Sequence, residues 1–322
     1  MFTHRLHNYQ GQIGGTAMRV ALILLTVVFY RPALALTIAT GTPEGTYYQI
    51  AVDIKQIAEK EGIPIEIIQT NGSFDNINLL GSGKADLAIL QLDVLKFASD
   101  VLKAEAGVNV LEETKAILNL YPEEIHVITK NDGIRSLDQL AGKKVAVGPE
   151  RSGSALTAEV LLAAHNLRAE ISFDTPKEAL RKLEGRELDA LIFVGGAPVP
   201  AFGKLDNSFH FIRLPASAVL EQIYQKTKID KTVYPWAGEV ETLTVPSVIM
   251  TRDRKDKEYV AIIQKLLLAI LSNKDKLLAS GHPKWKNAQF RLMPPNVAYR
   301  PSNDIILIYN VLEVHGYRMI KK

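Results

Sequence analysis

Apolar and polar positions along residues 36–194 predict the same order of elements twice. Short apolar runs indicate strands, and apolar residues three or four positions apart indicate helices. The first series of strand, helix, strand, helix and strand is predicted at residues 36–39, 47–61, 63–69, 74–80 and 86–91. The second series is predicted at residues 144–147, 155–164, 169–173, 176–183 and 189–194. Alternation of this kind is typical of an α/β fold with parallel strands.

Residues 80–89 and 183–192 share a local pattern in which a helix ends near glycine and an aspartate precedes an apolar strand. The glycines are predicted to stop each helix in the left-handed conformation. Asp86 and Asp189 are predicted to open strands that are buried on both faces. The Gly-Ser-Gly-Lys run at residues 81–84 is superficially similar to a phosphate-binding loop. It follows a helix and precedes a strand, the reverse of the required order, so that function is rejected.

Two extended segments, residues 124–130 and 241–251, connect the two predicted α/β units. A pair of antiparallel crossing strands forms a hinge that lets two lobes close around a ligand. We therefore predict a first lobe from residues 36–124 with 250–322, and a second lobe from residues 125–249. A long apolar helix predicted at residues 258–278 is expected to pack on the first lobe.

The N-terminus has the pattern of an export signal. Met18 and Arg19 precede an apolar run at residues 20–30, and Ala33-Leu34-Ala35 fits a small-x-small cleavage site. The apolar run is shorter than the ~20 residues that a membrane-spanning helix requires. The sequence predicts a signal peptide over residues 1–35, cleaved after Ala35, with Met18 as an alternative start. An uncleaved membrane anchor is the other interpretation. The mature protein is expected to be periplasmic.

Composition excludes several functions. The 322 residues are 47% hydrophobic and 23% charged, which is ordinary for a globular protein. Cysteine is absent, so thiolate catalysis and disulfides are excluded. Residues 1–35 contain three arginines and no acid, which leaves 35 basic and 35 acidic side chains after cleavage. A balanced charge gives no electrostatic basis for nucleic-acid binding.

Two glycine- and hydroxyl-rich turns, at residues 40–48 and 148–154, each lie between a predicted strand and a predicted helix. The first turns of helices carry unpaired N–H groups and the positive end of the helix dipole, which suit an anion or a polar small molecule. Neither turn has the lysine of a phosphate loop or the glycine spacing of a dinucleotide site, so a nucleotide is not expected. Simple chain reversal is the alternative.

Several segments together resemble a known family of solute receptors. These segments recur in family order across residues 36–250. They are Gly41-Thr42-Pro43-Glu44-Gly45-Thr46-Tyr47-Tyr48, Thr70-Asn71-Gly72-Ser73 with Asn76, Ala85-Asp86-Leu87-Ala88-Ile89-Leu90-Gln91-Leu92-Asp93, Leu120-Tyr121-Pro122-Glu123, Gly142-Lys143-Lys144-Val145-Ala146-Val147-Gly148, Ser152-Gly153-Ser154 and Gly195-Gly196-Ala197-Pro198-Val199-Pro200. The set resembles the TAXI branch (TRAP-associated extracytoplasmic immunogenic proteins) of the TRAP transporter receptors.

The resemblance implies a two-lobed periplasmic binding protein fold, type II-like, without catalytic activity. It implies binding of a small organic solute such as glutamate, glutamine or a dicarboxylate. The solute would be delivered to the membrane subunits of a TRAP-type permease that an ion gradient drives. Pro43-Glu44 departs from the family's glycine-rich pair. A carboxylate there would oppose an anionic ligand or pair with a ligand ammonium.

Polar residues of the turns and strand ends are the candidate ligand contacts. They are Thr42, Thr46, Tyr47, Ser73, Asn76, Gln91, Asp93, Tyr121, Arg151, Ser152, Ser154, Gly196 and Pro198. Gln91 is the preferred polar contact because it ends a buried strand. Asp93 pairs with a ligand amine or caps the next helix, and Ser73 acts as an N-cap or a direct contact.

The second turn supplies the candidate cation. Arg151 is the only cation in either glycine turn, which makes it a carboxylate partner or a solvated residue. Ser154 is predicted as the N-cap of the helix that follows. Tyr121 stacks on an aliphatic ligand or packs in the hinge.

Two other functional classes are compatible with the sequence. A receptor of the same fold that serves an ABC importer is the nearest alternative. A dehydratase-like enzyme would need titratable groups in the cleft, and Glu44 and Asp93 are the candidates. The scattered histidines have no metal-ligand spacing, so no metal and no cofactor are expected. We expect a monomer.

Overall fold

The structure is a computed structural model that describes residues 35–95, 97, 114–288 and 290. The predicted signal peptide lies outside the described residues except for Ala35. Residues 291–322 of the predicted first lobe also lie outside them.

Ten strands and six helices are described here. The strands are β1 (Leu36–Ala39), β2 (Ile65–Ile68), β3 (Leu87–Gln91), β4 (Thr114–Thr129), β5 (Lys144–Ala146), β6 (Glu170–Ser172), β7 (Ala190–Gly195), β8 (His210–Phe211), β9 (Gln225–Ile229) and β10 (Val240–Arg252). The helices are α1 (Thr46–Lys60), α2 (Ser73–Gly81), α3 (Gly153–Ala164), α4 (Pro176–Glu184), α5 (Lys257–Ser272) and α6 (Lys274–Ser280). Short 3₁₀ turns occupy Leu137–Leu140, Pro200–Phe202, Leu220–Gln222 and Pro283–Asn287.

The strands form one sheet with the order β2-β1-β3-β10-β4-β7-β5-β6, to which β8 and β9 add at the sides. Strands β1, β2 and β3 form a first parallel group, and β5, β6 and β7 form a second. Each group ends against a long antiparallel strand, β10 for the first and β4 for the second. The orders β2-β1-β3-β10 and β6-β5-β7-β4 correspond, so the repeat in the sequence is a repeat in the topology. The predicted two-lobed α/β fold is confirmed.

Strands β4 and β10 run between the two groups. The first part of β4 pairs with the last part of β10, and residues 124–129 of β4 pair with β7. Pro122 and Pro246 face each other in the middle of this antiparallel pair. Proline has no N–H, so the ladder lacks a donor on both strands at this point. The strand pairing is therefore interrupted where the chain passes from one group to the other.

Asp86 and Asp189 have the same structural role in the two groups. Asp86 Oδ2 accepts from the Thr37 N–H at 2.9 Å, and Asp189 Oδ2 accepts from the Lys144 N–H at 3.0 Å. Each carboxylate thus caps the start of the neighbouring parallel strand. This is a more specific role than the sequence pattern predicted, because the partner lies on another strand.

The prediction for the helix ends was partly wrong. Gly83 after α2 has a φ of 74°, as a left-handed stop requires, but Gly185 after α4 has a φ of −77°. Arg186 takes the left-handed conformation instead, with a φ of 56°.

The predicted single helix at residues 258–278 is two helices, α5 and α6. Asn273 separates them, with φ −99° and ψ 16°, and its Nδ2 donates to the Ala269 carbonyl at 2.9 Å. This side-chain bond satisfies a carbonyl that would otherwise be free at the end of α5, so the helix stops there. Although α5 is strongly apolar, none of the helices in the described residues is long and apolar enough to cross a membrane.

Candidate functional site

A small cavity lies where the carboxyl ends of both parallel groups meet. Its volume is about 40 Å³, enough for a few water molecules. The lining residues are Gly41, Thr42, Gly45, Thr46, Tyr47, Asn71, Gly72, Ser73, Gln91, Glu123, Pro149, Ser152, Gly153, Ser154, Phe193, Val194 and Gly195. The starts of α1, α2 and α3 all contribute to this wall. This is the ligand position expected for open parallel α/β sheets.

The start of α1 has no side-chain cap. Gly45 occupies the N-cap position in extended conformation, and no side chain accepts from the first N–H groups of the helix. The Thr46 hydroxyl donates to the Gly196 carbonyl at 2.7 Å, which ties α1 to the loop after β7. The uncapped N–H groups of α1 therefore face the cavity with the positive end of the helix dipole behind them.

The start of α2 differs from its prediction. Gly72, with a φ of 129°, is the N-cap, and Ser73 is the first helical residue. Ser73 therefore does not cap the helix; its Oγ accepts from the Gln91 N–H at 3.1 Å. A side chain at Gly72 would come within 3.3 Å of Ser152, so glycine permits close approach of the two turns.

The start of α3 is capped by Ser152 rather than by the predicted Ser154. Ser152 has extended backbone, and its Oγ accepts from the Ala155 N–H at 3.1 Å. Ser154 lies inside the first turn, and its Oγ accepts from the Val194 N–H at 2.9 Å. Because the N-cap is the last non-helical residue, the earlier serine takes this role.

Gln91 connects the walls of the cavity. Its Nε2 donates to Thr157 Oγ1 on α3 at 3.2 Å, and a Cβ on Gly153 would lie 1.8 Å from its Oε1. Asp93 Oδ2 accepts from Thr157 at 3.1 Å and from the Tyr224 hydroxyl at 3.3 Å. Burial raises the pKa of Asp93 to about 6, and these hydrogen bonds oppose the shift.

Glu123 was not among the predicted ligand contacts, although it belongs to the Leu120-Tyr121-Pro122-Glu123 segment of the family resemblance. It is 1% exposed, and the Tyr47 hydroxyl donates to its Oε2 at 2.6 Å. Desolvation raises the pKa of Glu123 to about 8, with smaller contributions from Asp93 and Glu124, while the Tyr47 bond lowers it. The available signal was a pair of acidic residues between the apolar residues of one long strand.

Glu124, next to it, is paired with a cation. Its carboxylate accepts from Lys284 Nζ and, at 2.8 Å, from the Ala197 N–H. Lys284 is 4% exposed and also donates to the Pro122 carbonyl at 3.0 Å. This buried pair joins the turn at Pro283–Asn287 to β4 and to the loop after β7.

Arg151 lies at the rim of the cavity and does not line it. Its Nε donates to Asp75 Oδ1 at 2.7 Å, and its guanidinium lies 4.6 Å from the centre of the Phe74 ring. Its φ is 62°, so an arginine is held in left-handed conformation. The predicted partner for a ligand carboxylate is thus engaged with the helix on the other side of the cavity.

The structure brings about half of the candidate residues to the cavity wall. Those on the wall are Thr42, Thr46, Tyr47, Ser73, Gln91, Ser152 and Ser154. Those behind it or at the rim are Asn76, Asp93, Tyr121, Arg151, Gly196 and Pro198. Glu44, whose orientation the sequence left open, does not line the cavity. A ligand contact for any of them stays a prediction.

Three of the residues behind the wall have structural partners. Asn76 Nδ2 donates to the Ile89 carbonyl at 2.6 Å, which ties α2 to β3. The Tyr121 ring packs against Gly196, where an added Cβ would come within 2.6 Å of it. The Pro198 carbonyl bonds to His282 Nε2 at 3.0 Å.

Two α/β units whose strand ends and helix starts enclose a cavity are the fold of two-lobed periplasmic solute-binding proteins. The chain belongs to the NMT1-like family, whose model it matches over residues 38–291.

Several solved structures are similar to this chain at low identity. XAC2383 from Xanthomonas citri bound to ATP has 14% identity and a TM-score of 0.51, over 88% of this chain and 98% of that chain. The same protein bound to chloride ion has 12% identity and a TM-score of 0.50, over 87% and 99%. An ancestral arginine-binding protein bound to arginine has 21% identity and a TM-score of 0.49, over 78% and 97%.

Proposed function

We propose that this protein is a periplasmic receptor for a small amino acid or dicarboxylate, glutamate-like, which it delivers unaltered to a TRAP-type, ion-gradient-driven membrane transporter. The observation that carries the proposal is the convergence of three helix starts on one cavity. The uncapped N–H groups of α1 and α2, with the serine hydroxyls at the start of α3, suit a ligand carboxylate. The TRAP assignment depends on the family resemblance of the turns and strand ends.

The available interactions are sufficient for a useful affinity. One helix start stabilises an anion by about 0.3–2 kcal/mol, and a hydrogen bond to a charged group contributes about 1.5–3 kcal/mol. Several such contacts, from both sides of the cavity, reach the roughly 8 kcal/mol that a micromolar dissociation constant requires. Exclusion of water by the buried wall strengthens each of them.

Binding requires the two sides to separate. The cavity of about 40 Å³ is smaller than any amino acid, and Gln91 bonds directly across it to Thr157. We propose that residues 36–124 with 250–322 move as one lobe, and residues 125–249 as the other. The facing prolines, Pro122 and Pro246, are the natural pivot because the ladder lacks donors there.

Membership of the NMT1-like family also favours a second function, as the receptor of an ABC importer. A neighbouring gene for a large polytopic permease would favour TRAP, and a neighbouring ATPase gene would favour ABC. Export by a signal peptide cleaved after Ala35 is part of both proposals. Neither Glu44 nor Asp93, the acid pair considered for an enzyme, lines the cavity, and we expect no turnover of the solute.

A thermal-shift screen of the purified protein against amino acids and dicarboxylates tests the proposal. A bound solute raises the melting temperature because it stabilises the folded state by RT ln(1 + [L]/Kd). Gln91→Ala should abolish the shift while the protein stays folded, and Gln56→Ala, at an exposed position on α1, should preserve it. A screen without any shift would refute the receptor function; an unchanged shift in Gln91→Ala would remove Gln91 from the site.

A further inference from the structure

Glu123 is the one acidic or basic side chain, among the described residues, that lines the cavity. The hydrogen bonds of these residues give its Oε2 a donor, the Tyr47 hydroxyl at 2.6 Å, and give its Oε1 none. Buried polar atoms normally have a partner. A carboxyl group that is 1% exposed and has one oxygen free of protein donors is therefore positioned to receive a donor from a ligand.

The groups around Glu123 favour a positively charged ligand group in the cavity. Asp93 and Glu124 are the neighbouring acids, and Tyr47 and Tyr121 are the neighbouring phenols. Lys284 is the neighbouring cation, but its ammonium already bonds to Glu124 and to the Pro122 carbonyl. The pKa of Glu123 is raised to about 8, chiefly by desolvation, so the group is mostly protonated at neutral pH.

The described residues of the cavity wall offer no cation that could pair with a second carboxylate of a ligand. Arg151 is held at the rim by Asp75 and Phe74, and no lysine, arginine or histidine is among the described lining residues. A dicarboxylate would place one of its two charges near Glu123. An amino acid can place its carboxylate at the helix starts and its ammonium at Glu123.

We propose that Glu123 binds the protonated amine of the solute and thereby selects amino acids over dicarboxylates that lack an amine. The inference rests on the proposed receptor function and identifies the solute class of the same site. An ammonium has three donors, of which one reaches Glu123 Oε1. A charge-assisted bond in a buried site is among the stronger single contacts that a small solute can make.

Proton balance provides a direct signature of this contact. Glu123 gives up its carboxylic-acid proton to the solvent, and the solute ammonium, which keeps its own three protons, pairs with the resulting carboxylate. Each solute bound then releases close to one proton at pH 7. In the free protein, Glu123 is half ionised at its pKa of about 8 and fully ionised well above it. Amino-acid affinity should therefore rise from pH 6 to pH 8 while proton release declines.

Isothermal titration calorimetry of the purified protein tests the inference. L-glutamate, L-glutamine and glutarate are the probes, because glutarate is glutamate without its amine. Titrations at pH 7 in two buffers of different ionisation enthalpy report the protons released. Wild type should prefer an amino acid and release close to one proton. Glu123→Gln should weaken the binding of that amino acid by roughly 10- to 150-fold, because a charged hydrogen bond is lost, and should abolish proton release.

Glu59→Gln is the matched control, since Glu59 lies exposed on α1 in an ion pair with Lys55, and it should behave as wild type. Tyr47→Phe keeps Glu123 and should retain proton release, which covers the case in which Glu123→Gln does not fold. Glutarate binding without amino-acid binding, or an amino-acid affinity unchanged by Glu123→Gln, would overturn the inference and leave the receptor function standing. Absence of binding by all three probes would overturn both.

Discussion

Two neighbouring acidic residues on β4 are similarly buried but have different hydrogen-bond partners. Glu123 is 1% exposed and bonds to a tyrosine hydroxyl, whereas Glu124 is 8% exposed and bonds to Lys284. Successive side chains of a strand point to opposite faces, so one carboxyl reaches the cavity and the other reaches the turn after α6. Burial alone therefore does not identify a binding residue. The presence or absence of a protein cation distinguishes the two roles.

Glu124 connects separate parts of the chain through its hydrogen bonds. Its carboxylate accepts from Lys284 and from the Ala197 N–H, and Lys284 also bonds to the Pro122 carbonyl. These contacts join three parts of the chain next to the facing prolines. A buried pair of this kind is costly to break because the remaining charge is left without a partner.

Lys284→Met is the change with the largest expected effect on this comparison. It leaves Glu124 buried without its cation and should lower the free energy of unfolding by about 3–5 kcal/mol. Urea denaturation at pH 7 measures the loss. Lys286→Met, at an exposed position in the same turn, is the control and should change stability by less than about 0.5 kcal/mol.

The double variant Glu124→Gln with Lys284→Met isolates the cause. Removal of both charges should recover most of the lost stability, because no buried charge remains. If Lys284→Met were as stable as wild type, the pair would not have the structural role that distinguishes Glu124 from Glu123.

The pH dependence of stability reports the protonation of Glu123 in the folded state. The pKa of Glu123 is raised from 4.5 to about 8 on folding, so between these values the folded state binds a proton that the unfolded state does not. The contribution of Glu123 to stability should then fall as pH rises from 5 to 8, with a slope of up to ~1.4 kcal/mol per pH unit for one proton. Glu123→Gln should flatten this slope, since glutamine does not titrate and still accepts from Tyr47.

Melting temperatures of both proteins between pH 5 and pH 9 provide the measurement. Asp93, whose pKa is raised to about 6, and His126, whose pKa is lowered to about 3, contribute slopes of opposite sign below about pH 6.5 in both proteins, so the difference between the two curves reports Glu123. Glu59→Gln is again the control, because that exposed side chain should leave the curve unchanged. Identical slopes in wild type and Glu123→Gln would show that Glu123 does not carry the proton.

Local patterns in the sequence were enough to predict the elements around the site. The strand and helix series, the hydroxyl-rich turns and the strand-opening aspartates all depend on residues close together in the chain. The errors were local as well. Both N-caps were placed too late, because a serine within the first turn looks like a serine before it. In the structure Gly72 and Ser152 precede the helices.

Contacts between distant residues could not be predicted in this way. Glu123 meets Tyr47 across 76 positions, and Lys284 meets Glu124 across 160 positions. No periodicity of a single segment specifies such partners. Arg151 shows the same limit: its place in a glycine turn predicted a free cation, but its partners Asp75 and Phe74 lie on α2.

Arg151 extends the comparison to a pair at the rim, where the smallest effects are expected. Its side chain is 38% exposed, and its bond to Asp75 and its contact with Phe74 link the two sides of the cavity. An exposed ion pair contributes about 0.2–1 kcal/mol and an exposed cation–π contact about 0.5–1 kcal/mol. Arg151→Ala should therefore weaken solute binding by only about 3- to 30-fold.

The left-handed backbone at Arg151 allows this effect to be separated from strain. Its φ of 62° is a property of the turn's own backbone. Arg151→Gly removes the same contacts as Arg151→Ala but relieves about 1 kcal/mol of strain. The two variants should therefore share one solute dissociation rate, faster than that of wild type, while the glycine variant melts at a higher temperature. Stopped-flow release and thermal melting measure the two quantities, and a dissociation rate that followed the melting temperature would mean that the rim contacts do not hold the sides together.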